Sequence, residues 1–145
     1  MSMLIERWMK TPVITVKPRD SIAHARELLE KNHINQLPVV HNERLVGIVT
    51  DRDIRNAARA VQIAAFAAAR HPIQSDPDQA PVEQVMSANV ITLRPTDTIE
   101  KAALLLRQQR IGSVPIVANG VLCGILTRSD LLGALAELCE DSAKK

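Results

Sequence analysis

The segment from Met9 to Ile54 recurs without a gap from Met86 to Leu131, so that Pro18 aligns with Pro95, Pro38 with Pro115 and Gly47 with Gly124. Asp20 and Asp97, Ile34 and Ile111, Thr50 and Thr127, and Asp53 and Asp130 fall on the same offset. Polar turn residues therefore recur together with apolar ones, which hydrophobic patterning alone does not require. Two copies at so long a period do not make a solenoid, and the expected architecture is a pair of similar halves packed about a pseudo-two-fold axis. A site at their junction would then occur twice.

With 145 residues, 46% hydrophobic and 23% charged, the chain can bury a real core but not two large independent domains, so one compact two-lobed domain is expected. A net charge of +2, with charges interspersed along the chain, leaves no basic footprint for nucleic acid. One Trp, one Phe and no Tyr leave almost nothing for bases to stack on, so a bound purine would have to lie between aliphatic side chains. The longest weakly polar stretch, Ala57 to Ala69, contains Arg59 and Gln62 and is too short to span a bilayer. No signal segment is recognised at the start, and a cytoplasmic protein without a membrane partner is expected. Cys123 and Cys139 have no metal or disulfide spacing and read as reduced packing residues.

Each copy opens with a short β-rich run, Val13 to Val16 or Val90 to Leu93, ended by Pro18 or Pro95. Ile22, Ala25, Leu28 and Leu29, like Ile99, Ala102, Leu105 and Leu106, then recur at helical spacing. Asp97 is expected to cap the second of these helices, with Glu100 reaching back. Leu37 to Val40 with Leu45 to Thr50, and Val114 to Val117 with Val121 to Thr127, read as β-hairpins. Asn119-Gly120 suits a type I′ turn, whereas Glu43 after Asn42 predicts a looser turn in the first copy. A second helix follows, from about Asp51 to Arg70 and from about Arg128 to Glu140. The fold class is α/β (α+β), two β-α-β-β-α units. Residues 1–70 form repeat 1 with an N-terminal segment and a long second helix, 71–81 the Pro-rich linker, and 82–145 repeat 2.

Each hairpin ends in Gly47-Ile-Val-Thr50-Asp-Arg-Asp53 or Gly124-Ile-Leu-Thr127-Arg-Ser-Asp130. A hydroxyl and a carboxylate thus arrive on the first turn of a helix, where unpaired amides and the dipole favour anions. The carboxylate could accept both hydrogens of a ribose diol, while the amides, the Thr hydroxyl and Arg52 or Arg128 hold phosphate. Gly in the strand would let a ligand approach the backbone. The same residues also spell a capping box, in which Thr caps and Asp reaches back.

Met9 and Met86, the Thr-Val-Lys-Pro and Thr-Leu-Arg-Pro steps, the Leu-Pro-Val-Val and Val-Pro-Ile-Val runs and the two Gly-x-x-Thr-x-x-Asp ends together resemble a tandem pair of cystathionine-β-synthase (CBS) domains, a Bateman module. The resemblance covers nearly the whole chain; the isolated architecture is similar to acetoin-utilisation-type CBS-pair proteins. It implies two clefts between the repeats that take adenosyl ligands such as AMP, ADP, ATP or S-adenosylmethionine, and pairing of two modules into a disc-like homodimer. Asp53 and Asp130 would hold ribose hydroxyls, with Thr50 and Thr127 near sugar or phosphate and Arg52, Arg128 and Ser129 in reach of phosphate. The implied adenine pockets comprise Val13, Ile14, Thr15, Gln36, Leu37 and Pro38, and Val90, Ile91, Thr92, Ser113, Val114 and Pro115. Gly112 and Ser113 stand where the first copy has Asn35 and Gln36, so the two clefts should differ in shape.

His24, His33, His41 and His71 lack metal-ligand spacing, and no nucleophile turn such as Gly-x-Ser-x-Gly is present. Trp8 is expected to pack on the body and anchor the amino terminus. The resulting expectation is a non-enzymatic sensor without an obligatory cofactor, signalling to an effector protein. The alternative is a dimerising protein-interaction module that binds no nucleotide and uses Asp53 and Asp130 only as caps.

Overall fold

The computed structural model describes residues 3–67 and 77–143. The elements run α1 (Ile5–Trp8), α2 (Ile22–Asn32), β1 (Gln36–His41), β2 (Arg44–Thr50), α3 (Asp51–Ala67), two 3-10 turns (Pro77–Gln79 and Val82–Gln84), α4 (Ile99–Gln109), β3 (Ser113–Ala118), β4 (Val121–Thr127) and α5 (Arg128–Ala143). The fold class is α/β, as the sequence indicates. Most of the expected linker, residues 71–76, lies outside the described residues, as do residues 68–70 at the end of the alanine-rich segment. No described helix is long and apolar enough to cross a membrane.

Contacts divide the chain into two compact units, Ile14–Val90 on one hand and Met1–Val13 with Ile91–Lys145 on the other. The N-terminal segment, grouped with repeat 1 by sequence order, therefore packs with the second copy. Its backbone bonds explain this. Ile5 N–H donates to the Asp97 carbonyl (2.9 Å), Glu6 N–H to that of Pro95 (3.0 Å), and Ile99 N–H to that of Met3 (2.8 Å). In the other unit Val82 donates to Asp20 (2.8 Å), Glu83 to Pro18 (3.1 Å) and Ile22 to Ala80 (2.9 Å). The repeat thus reaches back to Met3 and Ala80, and the stretch that precedes each copy in sequence completes the other copy.

Within each unit an antiparallel hairpin, β1 with β2 or β3 with β4, shares one register, including a shift between Val39 and Val40 and between Ile116 and Val117. The strands expected at Val13–Val16 and Val90–Leu93 do not form ladders. Each reduces to one parallel bridge, Val16 to Val39 and Leu93 to Ile116. Proline is the reason. Val16 N–H bonds the Pro38 carbonyl (3.1 Å) and Val40 N–H the Val16 carbonyl (2.8 Å), so the next rungs would need N–H groups that Pro38 and Pro18 lack. Pro115 and Pro95 stop the second copy in the same way.

Ser21 caps α2 by accepting from His24 N–H (3.1 Å), and Thr98 caps α4 by accepting from Lys101 N–H (3.1 Å). Thr98, not Asp97, is therefore the cap. The Asp97 carboxylate instead accepts from Arg94 N–H (2.8 Å) and closes the preceding turn, as Asp20 does with Lys17 N–H (2.8 Å). Both hairpin turns use two residues at positive φ, Asn42 (51°) with Glu43 (66°) and Asn119 (53°) with Gly120 (81°). The expected looser first turn is not observed, because the paired strands fix the connection at two residues and Glu43 must follow.

Two apolar cores result. One gathers Val16, Ile22, Ala25, Leu29, Leu37, Val39, Val49, Ile54 and Val82, the other Ile5, Leu93, Ile99, Ala102, Leu106, Val114, Ile116, Leu126 and Ala134. Each fully buried Val, Leu or Ile contributes about 1.5–3 kcal/mol. Trp8 joins the second core half-buried, with the Arg7 guanidinium 5.4 Å above its ring and Arg7 paired to Glu137 of α5 (2.7 Å). Cys123 is half-buried, but Cys139 is exposed and does not serve packing.

Candidate functional site

The two Gly-x-x-Thr-x-x-Asp ends form the same local structure. Thr50 N–H donates to Asp53 Oδ2 (2.9 Å) and Asp53 N–H to Thr50 Oγ1 (3.1 Å). Thr127 N–H donates to Asp130 Oδ2 (2.8 Å), Thr127 Oγ1 lies 3.0 Å from the same oxygen, and Asp130 N–H donates back to Thr127 Oγ1 (3.3 Å). These are capping boxes, and each uses only one carboxylate oxygen. The second oxygen of Asp130 lies 3.5 Å from Lys10 Nζ; that of Asp53 has no ion-pair partner among the described residues.

Gln36 pairs across the hairpin with Thr50, and Ser113 with Thr127, so these four residues mark the mouth of each hairpin where α3 or α5 begins. The Gln36 Nε2 atom is buried without a hydrogen-bond partner, a donor held ready beside Thr50. Each first segment joins its hairpin at one parallel bridge, Val16 to Val39 and Leu93 to Ile116, and Ile14 and Ile91 stand two residues before these bridges. Ile14 and Ile91 remain 37% and 39% exposed, whereas Leu37 and Val114 are sealed in the cores and Pro38 and Pro115 are buried. Val13, Thr15 and Val90 are half-buried, and Thr92 is exposed. Of the aliphatic candidates, Ile14 and Ile91 present the most open surface.

Arg52 and Ser129 are exposed on the first turns of their helices. Arg128 lines a separate cleft of about 500 Å³ between α4 and α5, with Leu106, Leu131, Leu132, Arg107 and Arg110.

The glycines have a different use from the one expected. A Cβ on Gly124 would lie 2.7 Å from the Met9 sulfur and 3.1 Å from the Lys10 carbonyl oxygen, and one on Gly47 would meet the Met86 sulfur and the Ser87 carbonyl oxygen. The space is filled by the protein's own backbone, held by Lys10 and Ile125 (2.8 and 3.1 Å) and by Ser87 and Ile48 (both 2.9 Å). Small strand residues admit these crossing segments, not a ligand. The same crossing delivers Lys10 to Asp130, which motif reading missed. Its signal was the single alignment step after Met9 and Met86, where Lys10 stands opposite Ser87.

The chain matches the CBS domain family over residues 5–60 and 82–137. It is 33% identical over 135 residues to the CBS domain-containing protein YhcV of Bacillus subtilis, covering 93% of this chain and 86% of that protein. Among solved structures it is similar to AcuB from Vibrio cholerae, with a TM-score of 0.82 at 26% identity over 100% of this chain and 98% of that one. It is also similar to CBSX2 in complex with AMP, with a TM-score of 0.76 at 27% identity over 94% of this chain and 98% of that one.

Proposed function

Because the chain belongs to the CBS-domain family, we propose that it is a non-enzymatic, cytoplasmic regulatory sensor that binds an adenosyl ligand, AMP, ADP, ATP or S-adenosylmethionine, and signals to a partner protein. Asp53 and Asp130 take the ribose hydroxyls, Thr50 and Thr127 lie by the sugar or phosphate, and Ile14 and Ile91 offer aliphatic faces to the base. One observation carries the reading. In each unit a carboxylate with an oxygen left over from its capping box opens the helix that follows the hairpin, and an exposed isoleucine stands two residues before the bridge that joins the first segment to that hairpin. The AMP complex of CBSX2 supports the choice of ligand class.

We also infer a homodimer. Leu132, Leu135 and Leu138 of α5 are 66%, 56% and 37% exposed and Leu104 of α4 is 42% exposed, an apolar face that self-association would cover. Such a face equally suits an assembly module without nucleotide.

Thermal unfolding against AMP, ADP, ATP, S-adenosylmethionine, NADH and guanine nucleotides, with light scattering for oligomeric state, separates the two. A ligand at about 100 times its Kd adds about 2.7 kcal/mol. The expected result is a midpoint rise of several degrees with adenosyl compounds, reduced in Asp53→Asn or Asp130→Asn. No shift at millimolar concentration, with the dimer intact, would replace the sensor by the assembly module.

A further inference from the structure

The two capping boxes agree in backbone and differ in charge. Helix α3 opens Asp51-Arg52-Asp53, with Asp51 paired to Arg55 of the next turn (3.2 Å), and its crossing segment supplies the neutral Ser87. Helix α5 opens Arg128-Ser129-Asp130, and its crossing segment supplies Lys10, whose ammonium lies 3.5 Å from Asp130 Oδ1. Only the second box aspartate is paired with a cation from its crossing segment. The Asp130 side chain is only 9% exposed, whereas that of Lys10 is 59% exposed, so the carboxylate is fixed and the lysine is the partner able to move.

We propose that Lys10 is a specificity-determining residue that makes the second repeat's site select phosphorylated nucleosides over unphosphorylated ones, a selectivity to which Ser87 adds nothing at the first repeat. The assignment rests on the nucleotide reading above. A ribose diol that engages Asp130 Oδ1 has to displace the ammonium. With an uncharged nucleoside, Lys10 exchanges a carboxylate for water and the ligand offers nothing in return. With a nucleotide, the flexible lysine stem can carry the ammonium from Asp130 to the phosphate of the same ligand, replacing one charge-assisted hydrogen bond by another. At the first repeat Ser87 provides neither the obstruction nor the compensation.

The experiment is calorimetric titration of the full chain with AMP and with adenosine. An Asp53→Asn background reads the second site alone, and an Asp130→Asn background the first. In the former, Lys10→Gln should weaken AMP on the order of tenfold while leaving adenosine unchanged or tighter. In the latter, Ser87→Lys should raise the preference for AMP over adenosine by a similar factor. Circular dichroism monitors folding, and if Lys10→Gln does not fold the Ser87→Lys arm decides alone. AMP binding with a preference that neither substitution changes overturns the role of Lys10 and leaves the nucleotide reading standing. Failure of wild-type protein to bind AMP overturns both.

Discussion

The Met9 thioether lies against Gly124, where a Cβ would come within 2.7 Å of its sulfur and 3.1 Å of the neighbouring Lys10 carbonyl oxygen. The end of a methionine side chain can swing aside, but a carbonyl held in reciprocal hydrogen bonds to Ile125 cannot. Gly124→Ala should therefore cost about 1–3 kcal/mol through overpacking. Combining it with Met9→Ala should recover part of that loss, because the new methyl then faces the oxygen alone. Urea unfolding followed by the emission of Trp8, the single tryptophan, supplies the cycle. Strict additivity of the two substitutions would mean that the methyl does not meet Met9.

The hairpin turns give a comparison inside one molecule, since Asn42-Glu43 and Asn119-Gly120 adopt the same pair of positive φ angles. A side chain in the left-handed region costs roughly 1–2 kcal/mol, and glycine gives back about 0.5–1 kcal/mol of that advantage through its unfolded-state entropy. Glu43→Gly should accordingly stabilise the protein by up to about 1 kcal/mol and raise Tm by a few degrees. Gly120→Glu should lower it by a similar amount. Scanning calorimetry of both decides the point. A lower Tm for Glu43→Gly would show that the Glu43 side chain makes a contact worth more than the strain.

Helices, hairpins and the two capping boxes were legible in sequence because each rests on local chemistry: apolar spacing of 3.6, turn residues, and a Thr three positions before an Asp. The first strands were not, since the β-rich runs are intrinsically favourable and the limit on them lies in Pro38 and Pro115, residues of a different segment whose missing N–H groups stop the ladder. Sequence placed the Asp97 side chain one step out of role because Asp97 and Thr98 are both good caps; geometry gives the cap to Thr98 and the preceding turn to Asp97. The crossing of residues 3–10 onto the second copy had only faint signals, Ile5 against Val82 and Glu6 against Glu83. Contacts distant in sequence put Lys10 beside Asp130, and no local pattern encodes that.

Asp97 is buried, and its surroundings favour the charged form. The Arg94 backbone N–H bonded to its carboxylate holds it below the ordinary value of 3.8, against the opposing effect of burial, with help from the Lys101 and Arg94 side chains. A carboxylate whose folded pKa is depressed stays ionised in the folded protein at pH values where the unfolded chain takes up a proton. Its contribution is complete above the ordinary carboxylate pKa and disappears as pH falls through the lowered folded value. Asp20, at the matching turn, accepts the same kind of backbone bond from Lys17 but has no ion-pair partner among the described residues. Asp97→Asn should lower the urea midpoint at neutral pH and flatten its decline below about pH 4, both followed through Trp8, which packs in the same unit. Because Arg94 and Lys101 are largely exposed, 1 M salt should narrow the difference between wild type and variant. Parallel declines in the two proteins between neutral pH and pH 2 would assign the acid sensitivity to other carboxylates.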